Sequence, residues 1–303
     1  MAKKNRKTAT LAKNTVKKNQ SKSIDMASLQ KEISEELKKQ GISSPKSSSH
    51  KDKKSHSKDM WVYTGIQGFD VLLDKGIPRG LSVLVCGGPG SGKTIFGLQT
   101  LAYGLSQGEK CLYMTFEEAP ERLMNHMRDF GWDVKKYIKS GQLIIRKYNI
   151  YDVSRQVEAM MEKAKGELLI DIQPLLFPQG FRPDRIVVDS LSAISAAFVG
   201  KEDTYRVYIE QLFNLFQGMN TTSFLISETT ELPKRLTNSG VEEFLADGVI
   251  VMYSIRHGNI RENAIECLKM RGASFKKKIA AMQILSGKGI EVYPEQEIFT
   301  EIE

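Results

Sequence analysis

The chain has 303 residues, of which 41% are hydrophobic, and its formal net charge is +8. This length is sufficient for one large folded domain with a substantial core. The sequence contains no run of about 18 apolar residues, so we expect no transmembrane helix. Its basic start is followed by no apolar segment, which argues against a signal peptide and favours a cytoplasmic protein.

The three cysteines, Cys86, Cys111 and Cys267, stand far apart inside apolar, strand-like segments. Their spacing differs from the spacing of metal-binding cysteine motifs. We therefore predict three buried free thiols in a reducing compartment.

The positive charge is concentrated at the N-terminus. Residues 1–60 contain 16 Lys or Arg and 6 Asp or Glu, whereas the remaining residues contain 28 and 30. No aromatic residue precedes Trp61, and a segment of this composition cannot bury enough apolar surface to offset its ordering entropy. We predict a basic, disordered tail over residues 1–60 and one folded domain over residues 61–303.

One part of the tail, residues 26–40, has the periodicity of a short amphipathic helix. Leu29, Ile33 and Leu37 recur every four residues, and Asp25 is a plausible N-cap. This helix could dock a protein partner, or it could form transiently without one. The surrounding cations could contact nucleic acid or stay solvated, and the composition favours neither.

From Trp61 onward, apolar strand-like runs alternate with helical patterns. The predicted strands span residues 81–86, 110–116, 142–148, 184–190 and 222–227. The predicted helices lie near residues 93–105, 120–130, 154–165 and 205–216. Such alternation predicts an α/β fold, in which a mostly parallel sheet is covered by helices on both faces.

The pattern changes near the C-terminus to consecutive strands. These predicted strands span residues 248–256, 262–271, 278–285 and 289–294. Because only short connections separate them, we predict an antiparallel C-terminal extension of the same sheet.

The sequence GGPGSGKT follows the first buried strand and fits the phosphate-loop pattern G-x-x-x-x-G-K-[ST], also called Walker A. It comprises Gly87, Gly88, Pro89, Gly90, Ser91, Gly92, Lys93 and Thr94. The glycines let backbone N–H groups surround a phosphate, and the N-terminus of the following helix adds its dipole. Lys93 is expected to reach the β- and γ-phosphates, and the Thr94 hydroxyl to ligate Mg²⁺. A nucleoside triphosphate site is therefore predicted here.

Three further carboxylates follow predicted strands. Asp189 ends the apolar run RIVVD, where it can hold the water shell of Mg²⁺ beside Thr94. Glu117 and Glu118 come just after the strand at 110–116, at the sheet edge where ligands gather in open α/β folds. One of them could orient a water for attack on the γ-phosphate. Glu117 is slightly favoured, but an acid at a helix start can also serve only the helix dipole.

Several motifs occur in one order: TGIQGFDVLLDKGIPRG, GGPGSGKTIFGLQTLAYG, YMTFEEAPERL, IVVDSLSAI, GVEEFLADGVIVM and LKMRG. Together they resemble the KaiC-type ATPase domain, a branch of the RecA-like P-loop superfamily. The resemblance extends from about Tyr63 to Pro294 and is closest to archaeal single-domain members. It implies a RecA-like core that binds ATP and Mg²⁺ and hydrolyses ATP slowly.

The resemblance also implies a homo-oligomeric ring, usually a hexamer, with ATP between neighbouring subunits. The phosphate loop, Glu117, Glu118 and Asp189 would act from one subunit. Lys269 and Arg271, in LKMRG, match positions that reach the γ-phosphate from the adjacent subunit. Residues two apart on a strand face the same side, so both cations can enter one interface. The implied function is an ATP-dependent regulatory or scaffold switch.

Two alternative functions stay open. A RecA-type paralogue would bind DNA, and the basic tail suits non-specific phosphate contact. However, the loop at 229–240 carries only Lys234 and Arg235 as cations and no aromatic residue for base stacking. A protein phosphotransferase is disfavoured, because Glu242 and Glu243 stand where the kinase half of KaiC carries its phosphorylated Ser and Thr.

Overall fold

The computed structural model describes residues 60–163, 172, 176–178, 180–229, 236–237, 239–257 and 259–296. The predicted tail with its helix at 26–40 lies outside the described residues, as do Lys234 and Arg235. Binding of a protein or nucleic acid through these segments therefore stays a prediction. Among the described helices, none is long and apolar enough to cross a membrane.

The described strands form two sheets. In chain order they are β1 (Trp61–Val62), β2 (Ile77–Pro78), β3 (Ser82–Gly87), β4 (Cys111–Thr115), β5 (Leu143–Lys147), β6 (Arg185–Asp189), β7 (Thr222–Glu228), β8 (Gly248–His257), β9 (Ile260–Met270), β10 (Ala280–Leu285) and β11 (Gly289–Tyr293). Strands β1 and β2 pair with each other, and the other nine form one sheet in the order β11-β10-β9-β8-β3-β7-β6-β4-β5.

The large sheet is mixed, as predicted. All pairs from β8 through β3, β7, β6 and β4 to β5 are parallel, whereas β8 to β11 pair antiparallel. The predicted antiparallel C-terminal extension is confirmed for β8 to β11, and β8 joins it to the parallel part because it also lies parallel to β3. A parallel pair needs a long crossover, and only the connections after β8 are short enough to force antiparallel pairing.

The described helices cover both faces of this sheet. They are α1 (Phe69–Leu72), α2 (Lys93–Ser106), α3 (Pro120–Asp129), α4 (Lys135–Lys139), α5 (Ile150–Lys163), α6 (Leu191–Ala196), α7 (Glu202–Gly218) and α8 (Val241–Leu245). Val83 and Val85 of β3 belong to one buried cluster, and Leu84 and Cys86 belong to the other. A strand buried on both faces must be apolar throughout, which is why an uninterrupted apolar run predicted β3.

The carboxyl ends of β3, β7, β6 and β4 lie at one edge of the sheet. In the parallel registers, Gly87 pairs with Glu228 and Thr115 pairs with Asp189. The phosphate loop and the predicted carboxylates therefore start from neighbouring strand ends. All three cysteines are free and buried, as predicted.

Candidate nucleotide site

A cleft of about 620 Å³ lies at this sheet edge. Its lining residues come from the phosphate loop, the ends of β4, β6 and β7, α3, and β10: Pro89, Gly90, Gly92, Lys93, Thr94, Ile95, Glu117, Glu118, His126, Asp129, Phe130, Asp189, Glu228 and Ile284. The volume is within the range of about 300–1,000 Å³ typical of small-molecule sites. A second cleft of about 440 Å³ beside Phe198 contains none of the predicted site residues.

The phosphate loop joins β3 to α2 in a conformation that requires glycine. Gly90 and Gly92 have positive φ angles of 78° and 96°, and a Cβ on Gly87 would lie 2.4 Å from the Met252 carbonyl oxygen. Among the described residues, no side chain caps the N-terminus of α2. Its first N–H groups are therefore available to a phosphate.

Lys93 is the buried cation of the cleft. Its side chain is 8% exposed, and Nζ donates to the Gly88 carbonyl oxygen at 3.0 Å. Burial lowers the pKa of its ammonium group, while the negative charges of Glu228, Asp189 and Glu117 oppose this effect. The surrounding carboxylates thus favour the charged form of Lys93 at the position where a phosphate would bind.

The two predicted Mg²⁺ ligands lie side by side, although 95 residues separate them in the chain. Thr94 Oγ1 donates to Asp189 Oδ2 at 3.0 Å. Burial raises the pKa of Asp189, and hydrogen bonds from Tyr113 and Thr94 lower it. A hydroxyl and a carboxylate are the hard oxygen donors that Mg²⁺ combines with water and substrate phosphates, so these residues fit that cation. In the described part of the chain, no cluster of three or more His, Cys, Asp or Glu side chains could hold a metal by itself.

The adjacent glutamates have different partners. Glu117 Oε1 accepts a hydrogen bond from Ser190 Oγ at 2.9 Å, which directs this carboxylate toward the end of β6. Glu118 Oε2 lies 3.2 Å from Arg122 Nε, one turn along α3, in an ion pair that lacks the geometry of a hydrogen bond. Both residues line the cleft, but Ser190 at the end of β6 binds the carboxylate of Glu117, whereas Arg122 of α3 pairs with that of Glu118.

The backbone that carries both glutamates is held by neighbouring side chains. Thr115 Oγ1 donates to the Glu118 carbonyl oxygen at 3.0 Å, and Lys147 Nζ donates to the Glu117 carbonyl oxygen at 2.7 Å. The turn after β4 is thus tied to the strand before it and to β5, which limits how far the two carboxylates can move.

Lys269 and Arg271 lie on a different surface. Lys269 Nζ donates to the Ala246 carbonyl oxygen at 2.6 Å. Arg271 Nη1 pairs with Asp247 Oδ1 at 3.1 Å, and Nη2 donates to the Phe244 carbonyl oxygen at 3.3 Å. Both cations therefore bind the segment that leads from α8 into β8. The sequence predicted that Arg271 lies on the same strand as Lys269, but it lies in the turn just past the end of β9. The alternation of side chains along a strand therefore does not explain why both cations bind the same segment.

This surface is far from the phosphate loop of the same chain. The Arg271 N–H donates to the Asp247 carbonyl oxygen, and the Asp247 N–H donates to the Ser82 carbonyl oxygen. Arg271 is therefore level with the start of β3, whereas the phosphate loop begins at its end, at Gly87. Five residue steps of about 3.3 Å place the two about 16 Å apart along the strand. Within one chain, the two cations and the phosphate loop are not brought together.

Comparison with known families agrees with this geometry. A family model described as "ATPase: KaiC" matches residues 62–297, a range that contains the whole nine-stranded sheet. This chain belongs to the KaiC family of ATPases. The predicted resemblance is confirmed, and family membership supports a P-loop ATPase of the KaiC/RecA type.

Named relatives of this KaiC-family chain differ in length. The circadian clock protein KaiC3 of Synechocystis sp. is 33% identical over 76% of this chain but only 45% of the relative. KaiC of Synechococcus elongatus is 31% identical over 76% of this chain and 44% of the relative. The chain thus spans less than half the length of these two proteins. A UPF0273 protein of Pyrococcus furiosus is 34% identical over 78% of this chain and 94% of that protein.

A solved structure agrees with the fold. The crystal structure of a KaiC-like protein from the hyperthermophilic archaeon Pyrococcus horikoshii OT3 is matched with a TM-score of 0.62 and 31% identity, over 77% of this chain and 99% of that one. The predicted RecA-like α/β fold is thereby confirmed. The two Pyrococcus proteins also agree with the predicted resemblance to archaeal members of the KaiC family.

Sequence reasoning missed several residues at the site, among them Glu228 and Tyr113. Glu228 ends β7 and lines the cleft; like Asp189, it is a carboxylate at the end of an apolar strand, so the same signal could have found it. The Tyr113 hydroxyl donates to Asp189 Oδ2 at 2.5 Å. In the sequence Tyr113 is one aromatic residue inside a buried strand, and no pattern distinguishes it from a core residue.

Proposed function

We propose that this chain binds and hydrolyses Mg²⁺-ATP in the cleft, and that it assembles into a ring in which each ATP lies between neighbouring copies. The phosphate loop, Gly87 to Thr94, would bind the phosphates, with Lys93 on the β- and γ-phosphates. Thr94 and Asp189 would hold Mg²⁺, with Asp189 acting through a water molecule. When bound, this cation would offset the negative charge on the phosphate oxygens.

Glu117 is the proposed general base. The bond from Ser190 holds one of its carboxylate oxygens, so the other can accept a proton from a water. As the water oxygen bonds to the γ-phosphorus, the bond to the bridging oxygen breaks, ADP leaves, and the proton passes to Glu117. Glu118 is assigned a lesser role, orientation of α3 through Arg122, because its carboxylate already pairs with that cation.

The position of Arg271 is the observation that carries the proposal of a ring. Arg271 is level with the start of β3, so its guanidinium cannot reach the phosphate loop at the other end of that strand. A neighbouring copy can supply Lys269 and Arg271 to this cleft, where an arginine would stabilise the charge that develops on the γ-phosphate. The side chain of Phe244, next to both cations, is 81% exposed and could pack between copies.

Two of the relatives are circadian clock proteins by name. For this chain we propose a more general regulatory role: a ring of six copies, as the resemblance implies, whose binding to other proteins depends on whether it holds ATP or ADP. Light-scattering mass in ATP and in ADP tests this role. The mass should increase to that of a ring in ATP, and a monomer in both nucleotides would contradict it.

A mixing experiment tests action between copies. Lys93→Ala should lose ATP binding, whereas Arg271→Ala should bind ATP and lose hydrolysis by about 10³-fold or more. In a ring mixed at equal ratio, roughly a quarter of the interfaces combine an intact phosphate loop with an intact Arg271. Turnover should therefore recover to at most about a quarter of the wild-type rate per copy.

The matched control is Lys277→Ala, which removes an exposed cation from the connection after β9. This variant should hydrolyse ATP at the wild-type rate. Co-purification of untagged Lys93→Ala with affinity-tagged Arg271→Ala confirms that the two disabled variants share rings. No recovery in such mixed rings would contradict the supply of Arg271 by a neighbour, and full ATP binding by Lys93→Ala would contradict the assignment of the phosphate loop.

A further inference from the structure

Tyr113 lies in the middle of β4 and is fully buried. Its ring belongs to the apolar cluster that also contains residues of α2. In the parallel register of β4 and β6, Tyr113 pairs with Val187 and Thr115 pairs with Asp189. The phenol therefore extends from the core toward the end of the neighbouring strand, where Asp189 lies.

Two hydroxyl groups meet one oxygen of Asp189. The Tyr113 phenol oxygen lies 2.5 Å from Asp189 Oδ2, and Thr94 Oγ1 lies 3.0 Å from the same atom. An ionised carboxylate only accepts hydrogen bonds, so both hydroxyls donate. The phenol bond has the length of a charge-assisted O–H···O⁻ bond, about 2.5–2.7 Å, and such bonds are stronger than neutral ones.

The direction of the Thr94 bond matters for a cation. When Thr94 donates its proton to Asp189, the lone pairs of its oxygen are available to a metal. If Asp189 turned away, the Thr94 proton could point toward the cation and oppose its binding. The buried Tyr113 ring has no freedom to follow such a movement, so its hydroxyl keeps Asp189 in the orientation that Thr94 requires.

We propose that Tyr113 is a positioning residue for Mg²⁺, which acts by holding Asp189 as the acceptor of the Thr94 hydroxyl. The inference rests on the proposed function, because it takes Thr94 and Asp189 as the residues that hold the cation. Removal of an outer-shell group that orients a metal ligand commonly changes metal affinity by about 10–100-fold, and because Tyr113 acts through Asp189 the lower end of this range applies.

Tyr113→Phe tests this role, because it removes one hydroxyl and keeps the buried ring. A fluorescent ADP analogue is titrated into the full-length protein over a range of Mg²⁺ concentrations. The measured quantity is the Mg²⁺ concentration that produces half of the total increase in nucleotide affinity caused by Mg²⁺. We expect Tyr113→Phe to increase it about tenfold, to leave the affinity in EDTA unchanged, and to regain hydrolysis at high Mg²⁺.

Tyr208→Phe is the matched control. Tyr208 is also fully buried, and its hydroxyl has no hydrogen-bond partner in the described part of the chain. Its removal should leave the Mg²⁺ dependence unchanged. An equal shift in Tyr208→Phe would overturn the proposal, since any lost buried hydroxyl would then act alike.

Two further outcomes would overturn it. One is a shift below roughly threefold in Tyr113→Phe, well short of the effect expected for an outer-shell partner. The other is an equal loss of affinity with and without Mg²⁺, which indicates a loosened fold. If Mg²⁺ does not affect nucleotide binding to the wild-type protein, the proposed function fails together with this inference. If it does, and Tyr113→Phe behaves like wild type, only the positioning role fails.

Discussion

Glu109 joins two arginines at the amino end of β6. Its Oε2 pairs with Arg185 Nε at 2.8 Å, and its Oε1 pairs with Arg79 Nη2 at 3.1 Å. The Arg185 side chain is 1% exposed, and its Nη1 also donates to the carbonyl oxygens of Tyr63 and Thr100. This guanidinium therefore connects the strand that ends in Asp189 to α2 and to the segment before α1.

We predict that Glu109→Gln lowers the free energy of unfolding by about 3 kcal/mol. Removal of one partner of a buried ion pair costs about 3–5 kcal/mol, because the remaining charge is left in a medium of low polarity. The amide still accepts a hydrogen bond from Arg185, so the lower end applies. At about 2–4 °C per kcal/mol for a domain of this size, the melting temperature should fall by about 6–12 °C.

Urea unfolding, followed by the fluorescence of Trp61 and Trp132, measures this change. Asp152→Asn is the matched control, since it makes the same change from carboxylate to amide in an exposed ion pair with Arg155. Those two side chains are 47% and 75% exposed, and such pairs contribute about 0–1 kcal/mol. A loss below about 1 kcal/mol in Glu109→Gln, equal to that of the control, would refute the reasoning and show that the carbonyl oxygens alone stabilise the buried guanidinium.

Three other predictions follow from packing, burial and the cation. Gly97→Ala in α2 should destabilise the protein by about 1–3 kcal/mol in the same urea assay, because its Cβ would lie 2.9 Å from Val187 Cγ1. Gly218→Ala, with no atom within 4 Å of the new Cβ, should be neutral or stabilising by up to about 1 kcal/mol, and equal effects would refute the packing argument. The thiols should react slowly with a disulfide reagent at pH 8 until urea is added. Burial raises the pKa of each thiol, that of Cys267 to about 12. At pH 8 only about 10⁻⁴ of the Cys267 thiol is therefore thiolate, and its labelling rate should increase with pH. Fast labelling of the native protein would contradict this burial. Removal of Mg²⁺ with EDTA should abolish ATP hydrolysis, and added Mg²⁺ should restore it, whereas hydrolysis that persists in EDTA would exclude the proposed role of Thr94 and Asp189.

The fold class and the phosphate loop could be predicted because both depend on local sequence. Both faces of the parallel strands are buried, so β3 and β6 appear as uninterrupted apolar runs. The phosphate loop requires glycine at Gly90 and Gly92, where φ is positive, and a lysine at the helix start. Short helices such as α4 and α8, with five residues each, were missed, because helices of this length form through tertiary contacts and show no periodicity.

The sequence by itself determined that strand-end carboxylates would gather at one sheet edge, since parallel strands place their carboxyl ends together. Only the tertiary structure decided which partner each side chain has. It directs Glu117 toward Ser190 and Glu118 toward Arg122, it brings the Tyr113 hydroxyl to Asp189, and it locates the cations of LKMRG at the far end of β3. These contacts join residues that are distant in the chain, so strand register and packing against the sheet decide them, and a local pattern of residue types does not contain that information.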